Sequence, residues 1–189
     1  MGEPVDDGAE QALIAAGLDR VARTGTSLVT LDEIAADAGI GADVAAELFP
    51  SANELLVRGA MARCIEELRV APAEGPGSVP TASGYARHFA RHREFYRAMR
   101  IGEVAALLDA RMAAAVAPLV AHQIRTVVGS NLTEEQVATM TADVTAESFE
   151  VTNHWIVEAP DGATPESLYM RLEDLVLRQL EAVRTPPQA

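Results

Sequence analysis

The chain has 189 residues, and its 15 cationic side chains, all arginine, face 28 Asp and Glu for a formal net charge of −13. Hydrophobic residues make up 49% and aromatics only 4%, so a chain rich in Ala, Leu and Val favours helices over sheets. The length suits one compact domain or a small head fused to a larger body. The single cysteine, Cys64, excludes an intrachain disulfide and fits a cytoplasmic, reducing setting. The acidic start, Met1 to Asp7, does not read as a signal peptide. No apolar run is expected to reach the ~18 residues of a membrane span. Taken as one number, the negative charge argues against generic nucleic-acid binding.

The charge is uneven. Residues 1–57 hold eleven acids and two arginines, a net −9, and the other 132 residues carry −4. The first helical period runs from about Ala9 to Arg23, through Leu13, Ile14, Gly17, Leu18 and Val21, and Gly25 stops it. Thr30-Leu-Asp-Glu33 is a capping box and opens a short helix, Leu31–Ala38, that ends at Gly39. A second short helix, Ala42–Leu48, closes at Phe49-Pro50. Ser51-Ala-Asn-Glu54 is a further capping box and starts a long helix to about Val70.

Residues Pro72–Pro80, rich in Pro and Gly, read as a flexible connection. Helices are then expected over Ala82–Arg100, Glu103–Val116 and Pro118–Val128. Thr133-Glu-Glu-Gln136 caps a helix reaching about Val157, and Pro160-Asp-Gly162 is a turn. Thr164-Pro165 starts a last helix to about Val183, followed by a frayed tail. The pattern contains no strand and no internal repeat, so the fold class is all-α.

Three stretches carry a resemblance: Ile34-Ala-Ala-Asp-Ala-Gly-Ile40, Leu48-Phe-Pro-Ser51 and Leu55-Leu56. Together with the order of capped short helices, they resemble the helix-turn-helix of the TetR family of transcriptional repressors, over about 48 residues. The resemblance implies a DNA-binding head at residues 1–56 and an effector-binding and dimerisation body at 57–189. It implies a homodimer that meets operator DNA and a small-molecule effector. Ile34, Ala35, Ala38, Ile40, Leu48 and Phe49 would form the head's shared core. The helix Ala42–Leu48 would lie in the major groove, which makes Thr30, Gly41, Ala42, Asp43, Ala46 and Glu47 the DNA-facing positions.

The motif is also altered. Where the family usually has Ser or Thr, Tyr, His and Lys, this chain has Gly41, Ala46, Leu48 and Ala52, none with a side-chain donor. Asp43 and Glu47 stand four apart on one face, and no cation lies between Arg23 and Arg58. DNA affinity comes largely from neutralising phosphates, although a carboxylate can accept from cytosine N4. Two readings follow: a repressor with an unusual head, or a TetR-like protein whose head has lost its DNA face and which serves as a ligand-binding or protein-interaction module.

In the body, Tyr85, His88, Phe89, His92, Tyr96 and Met99 form one helical stripe, and Arg93, Arg97 and Arg100 a second. The resemblance makes the first stripe a pocket wall. Glu147, Glu150 and His154, close together on one helix, read as a polar pocket floor. The arginines would recognise an anion or answer the acidic head. His88 and His92 have the spacing for two ligands on one metal, but no third ligand is evident, so neither metal nor cofactor is expected. Cys64 reads as a buried thiol. Val144, Val151 and Trp155 on one helix, and Leu168, Leu172, Leu175, Val176 and Leu180 on the next, are the expected dimer interface, as a four-helix bundle. No phosphate loop or nucleophile motif suggests an enzyme.

Overall fold

The computed structural model describes residues 5–70, 80–128 and 132–184, and among these every regular element is an α-helix. The helices are α1 (Val5–Thr24), α2 (Leu31–Ala38), α3 (Ala42–Leu48), α4 (Ala52–Val70), α5 (Pro80–Arg91), α6 (Arg93–Ala98), α7 (Val104–Val128), α8 (Glu134–Glu158) and α9 (Pro165–Arg184). The expected connection at 72–79 and the tail at 185–189 lie outside the described residues.

The caps read from the sequence form. The Thr30 Oγ1 accepts from the Glu33 N–H at 3.2 Å, and the Thr30 N–H donates to Glu33 Oε2 at 2.8 Å. Thr133 and Gln136 make the same reciprocal pair at 3.2 and 2.8 Å. Ser51 Oγ accepts from the Glu54 N–H at 3.2 Å. Each satisfies N–H groups that a helix start leaves without an intrahelical partner.

Two expected boundaries move. The segment Ala82–Arg100 is not one helix: His92, at φ −107° and ψ 23°, breaks it into α5 and α6. No Pro or Gly sits there, so local propensity carried no sign of the break. In contrast, the two helices expected around Pro118 are one, with the proline inside α7. A proline removes one intrahelical donor and tends to kink a helix rather than end it when both flanks are strongly helical.

Packing divides the chain into two compact units. The first holds α1–α4, α6 and α7 as far as Asp109, and the second holds α5, α7 from Ala110 onward, α8 and α9. The expected boundary at 56/57 therefore falls inside α4. The reason is that α1 packs along α4 as well as on α2 and α3. Gly17 permits that approach: a Cβ there would come within 2.7 Å of Leu55 Cδ2. Leu13, Val21, Ile34, Ala45, Phe49, Leu55 and Leu56 fill the core between them. The α6 segment is fastened to the same unit. Ser27 Oγ lies 3.0 and 2.9 Å from the carbonyl oxygens of Ala98 and Ile101, Tyr96 is fully buried, and Arg100 grips Asp109 at 2.7 and 2.9 Å.

In the second unit α9 packs on both α5 and α8. Trp155 Nε1 donates to Ser167 Oγ at 2.9 Å and Gln179 Nε2 to Glu147 Oε1 at 2.7 Å, tying α8 to α9. Ile124 of α7 meets Val137 and Met140 at the start of α8. One correction concerns α7. Its stretch Val104–Thr126, with mean hydropathy 1.7, is long and apolar enough by composition to cross a membrane. Many of its exposed positions are alanines, such as Ala106, Ala110 and Ala114, while Val104, Leu108, Met112 and Ile124 are buried in the two units.

Two predictions follow from this packing. Gly39 ends α2 in the left-handed region at φ 68°, with its N–H turned to the Ala35 and Ala36 carbonyls. A Cβ there strains the backbone rather than a neighbour, since no atom lies within 4 Å of it. Gly39→Ala should lower stability by about 1–2 kcal/mol, read from urea unfolding. The second concerns Cys64, whose thiol is pushed up to about 12 by burial, aided by the nearby Glu67 carboxylate. A thiol reagent at mildly alkaline pH should react with the native chain only at the rate of unfolding, and with the denatured chain at once.

Candidate functional site

The helix-turn-helix is assembled as its sequence implies. Helix α2 ends at Gly39, the Ile40 N–H returns to the Ala35 carbonyl at 2.9 Å, and α3 begins at Gly41. Gly41 is extended at φ −62° and ψ 141°, and no side chain caps the helix. Its open space is already claimed, because a Cβ at Gly41 would stand 2.5 Å from Asp43 Oδ1. The Asp43 carboxylate is thus folded toward the α3 N-terminus, where the helix dipole favours a negative group.

Ala45 and Phe49 anchor α3 to the head core, and Leu48 is half-buried. The rest of α3 is left outward. All six expected DNA-facing positions, Thr30, Gly41, Ala42, Asp43, Ala46 and Glu47, are exposed, as is Val44. The surface they offer is small, apolar and twice acidic.

The arginines nearest this surface are committed elsewhere. Arg20 forks from α1 to α2, with Nη2 at 2.7 Å from Glu33 Oε1 and Nη1 at 2.7 Å from Asp37 Oδ2. Arg23 binds Asp19 at 2.6 Å and Asp37 at 3.1 Å. Arg58 pairs with Glu10 at 2.9 Å, and its guanidinium lies 5.0 Å from the Phe49 ring centre. These bonds raise Arg20 above its ordinary value, chiefly through Asp37. They hold Glu33 down, first through the Thr30 N–H and hydroxyl and then through Arg20. Asp37 is lowered first by its bond to Arg20 and then by Arg23. The head therefore satisfies its cations internally and leaves Asp43 and Glu47 unbalanced.

The expected ligand residues are shared between the two units. Tyr85, His88 and Phe89 are buried in the second unit, with Phe89 in ring contact with Tyr85 at 4.5 Å and with His88 at 5.3 Å. Tyr96 and Met99 are buried in the first unit, where His92 Nε2 meets Glu67 Oε1 at 2.6 Å. Within the expected basic stripe, Arg97 pairs with Glu94 at 2.8 Å and Arg100 with Asp109 at 2.7 Å.

Glu150 and His154 are exposed instead. They line an open groove of about 980 Å³ between α8 and α9, with Val151, Asn153, Arg171, Asp174, Leu177, Arg178 and Glu181. The α9 members were not expected from sequence. Their signal was present as Arg171, Asp174, Arg178 and Glu181, a charged stripe at helical spacing beside the leucine stripe.

Most of the expected dimer-interface residues are covered within the chain itself. Val144, Trp155, Leu168, Leu172 and Leu175 are buried within the single chain, because α5 and α8 both pack on α9. Val151 is half-buried, Val176 is exposed, and the Leu180 side chain lies outside the described residues. An apolar stripe marks a buried face but does not say whether the chain's own helices or a second copy cover it.

The Arg20 fork has a pH signature. A carboxylate held below its ordinary value adds stability that is complete above that value and is lost as pH falls through the depressed one. The stability difference between wild type and Arg20→Met, read as urea midpoints, should be constant from neutral pH to about pH 5. It should shrink toward zero as Glu33 and Asp37 protonate, below their ordinary values of 4.5 and 3.8.

No protein-family model matches the chain, and no curated protein does. Solved structures do. A protein assigned as a transcriptional regulator from Pseudomonas aeruginosa PAO1 is 18% identical, with a TM-score of 0.61 over 93% of this chain and 92% of its own. A TetR-like transcriptional regulator from Rhodococcus sp. RHA1 is 18% identical, with a TM-score of 0.58 over 96% and 99%. The Flavonoid-responsive Regulator FrrA is 20% identical, with a TM-score of 0.57 over 96% and 98%. The all-helical architecture, the helix-turn-helix and the near-complete overlap give this chain the fold of the TetR-like transcriptional regulators.

Proposed function

We propose that this protein is a ligand-responsive transcriptional regulator of the TetR type, a cytoplasmic repressor that binds operator DNA as a homodimer and carries no enzymatic activity. The observation that carries this reading is the complete helix-turn-helix: a reciprocal cap at Thr30, a left-handed turn at Gly39, and α3 anchored by Ala45 with its outer face bare. Residues 1–56 supply the head, steadied by the rest of α4 and by α6, and the remaining helices sense the effector. An effector bound in the body would shift the population toward a head spacing that does not match successive major grooves.

One observation favours a second reading. Every arginine of residues 1–58 is engaged by a carboxylate, and α3 presents Asp43 and Glu47. A head of this kind has few charges for phosphate and repels DNA at α3. On this reading the chain is a ligand-binding or protein-interaction module.

Binding to the DNA upstream of its own coding region, measured across a salt series, separates the two. A repressor should lose affinity steeply with salt, and absence of binding at about 50 mM salt, with the dimer intact, supports the second reading. If α3 enters the groove, Asp43→Asn with Glu47→Gln should strengthen binding to unrelated duplex and relax sequence preference. A contributing base contact would account for about 1–3 kcal/mol of discrimination.

A further inference from the structure

The outer side of α3 carries a short and unusual set of groups. Ala45 and Phe49 fix the inner side of the helix. At about 100° per residue, the opposite crest falls on Asp43 and Glu47, with Ala46 on one flank and Val44 on the other, all four exposed. The two acids are not equivalent. The Asp43 carboxylate folds back beside Gly41, at the start of its own helix. Glu47 stands in the last turn and makes no hydrogen bond or ion pair with another described residue. No cation lies between Arg23 and Arg58 to claim it, and Arg20, Arg23 and Arg58 are paired elsewhere.

This set restricts which base edges the helix can face. A carboxylate only accepts hydrogen bonds. In the major groove guanine presents two acceptors, and thymine presents one beside its methyl group. Adenine offers a donor next to an acceptor. Cytosine alone offers its N4 amino donor with no acceptor beside it. A carboxylate on the crest is therefore satisfied at cytosine and opposed at guanine or thymine. The flanks carry only methyl groups, and the thymine methyl is the base-edge group that matches them. The negative charge lowers affinity against phosphate for every sequence alike, whereas its burial against a wrong base leaves it unpaired, so the acid acts chiefly by rejecting sites.

We propose that Glu47 is the specificity-determining residue of the head, accepting from cytosine N4 in the operator, with thymine methyl groups packed on Ala46 and Val44 to either side. The inference rests on the DNA-binding reading above and names the chemistry of the operator. Apart from the folded-back Asp43, no other outward side chain of α3 is polar, so hydrogen-bond discrimination by this helix is concentrated at one base pair.

The test enriches binders of the full chain from a pool of randomised duplexes at about 50 mM salt. Binding is then measured to duplexes that differ only in the base at the enriched position. The wild type should favour cytosine over guanine or thymine by at least about tenfold. Glu47→Gln, whose amide both accepts and donates, should bring all bases within about threefold of one another and raise binding to the guanine duplex. Replacing the flanking thymines by uracil, which lacks only the methyl group, should weaken binding by about three- to fivefold per methyl. Circular dichroism of the variant should match wild type, because position 47 is exposed. An enriched site without cytosine, or a cytosine preference unchanged in Glu47→Gln, would overturn the proposal and leave the DNA-binding reading standing. Binding unchanged by uracil would overturn the thymine contacts. A pool from which no duplex is enriched would overturn the proposal and the DNA-binding reading together.

Discussion

One guanidinium sets both the shape of the head and its surface charge. Arg20 reaches from α1 to two carboxylates of α2, Glu33 and Asp37, at 2.7 Å each. Glu33 is at the same time the reciprocal partner of the Thr30 cap, so the fork, the cap and the start of α2 form one connected group. Arg23 adds a second hold on Asp37. Partly exposed pairs contribute modestly to stability one at a time. Their larger effect here is on what remains: the cations of the head are spoken for, and the acids of α3 are not.

The second constraint is the location of α6. It follows α5 directly in sequence, yet it packs with α1 and belongs to the head-bearing unit. Ser27 touches both the last turn of α6 and the turn beyond it, and Gly102, at φ 78°, brings that turn close to Leu28. The loop between α1 and α2 and the elbow between α6 and α7 are therefore one packed feature. The chain crosses between the two units at 70/71, 91/92 and 109/110, so two of these crossings flank the 92–109 segment.

Much of the fold was legible because its signals are local. A Thr or Ser followed three residues later by Glu or Gln can mark a helix start, and at Thr30, Ser51 and Thr133 it does. Gly39 and the apolar spacing around Ile34 gave the helix-turn-helix in the same way. The break at His92 and the continuity through Pro118 were not legible. The first has no breaker residue, and the second has one that the flanking helix tolerates. In both cases packing overrode propensity.

Composition, capping and periodicity were enough to determine an all-helical chain, its helix-turn-helix and the concentration of negative charge in the first 57 residues. These depend on neighbours a few positions apart, and a linear pattern records them. The tertiary structure alone decided which partner each long-range group takes. It placed Arg20 and Arg23 on the acids of α2, assigned Tyr85 and Phe89 to one packing unit and Tyr96 and Met99 to the other, and turned Trp155, Leu168 and Leu175 inward. It left Leu177 and the charges of α9 outside. A helix with apolar residues on more than one face can bury any of them. Only the direction from which α5 and α8 approach α9 selects the face that is covered and the face that is left exposed.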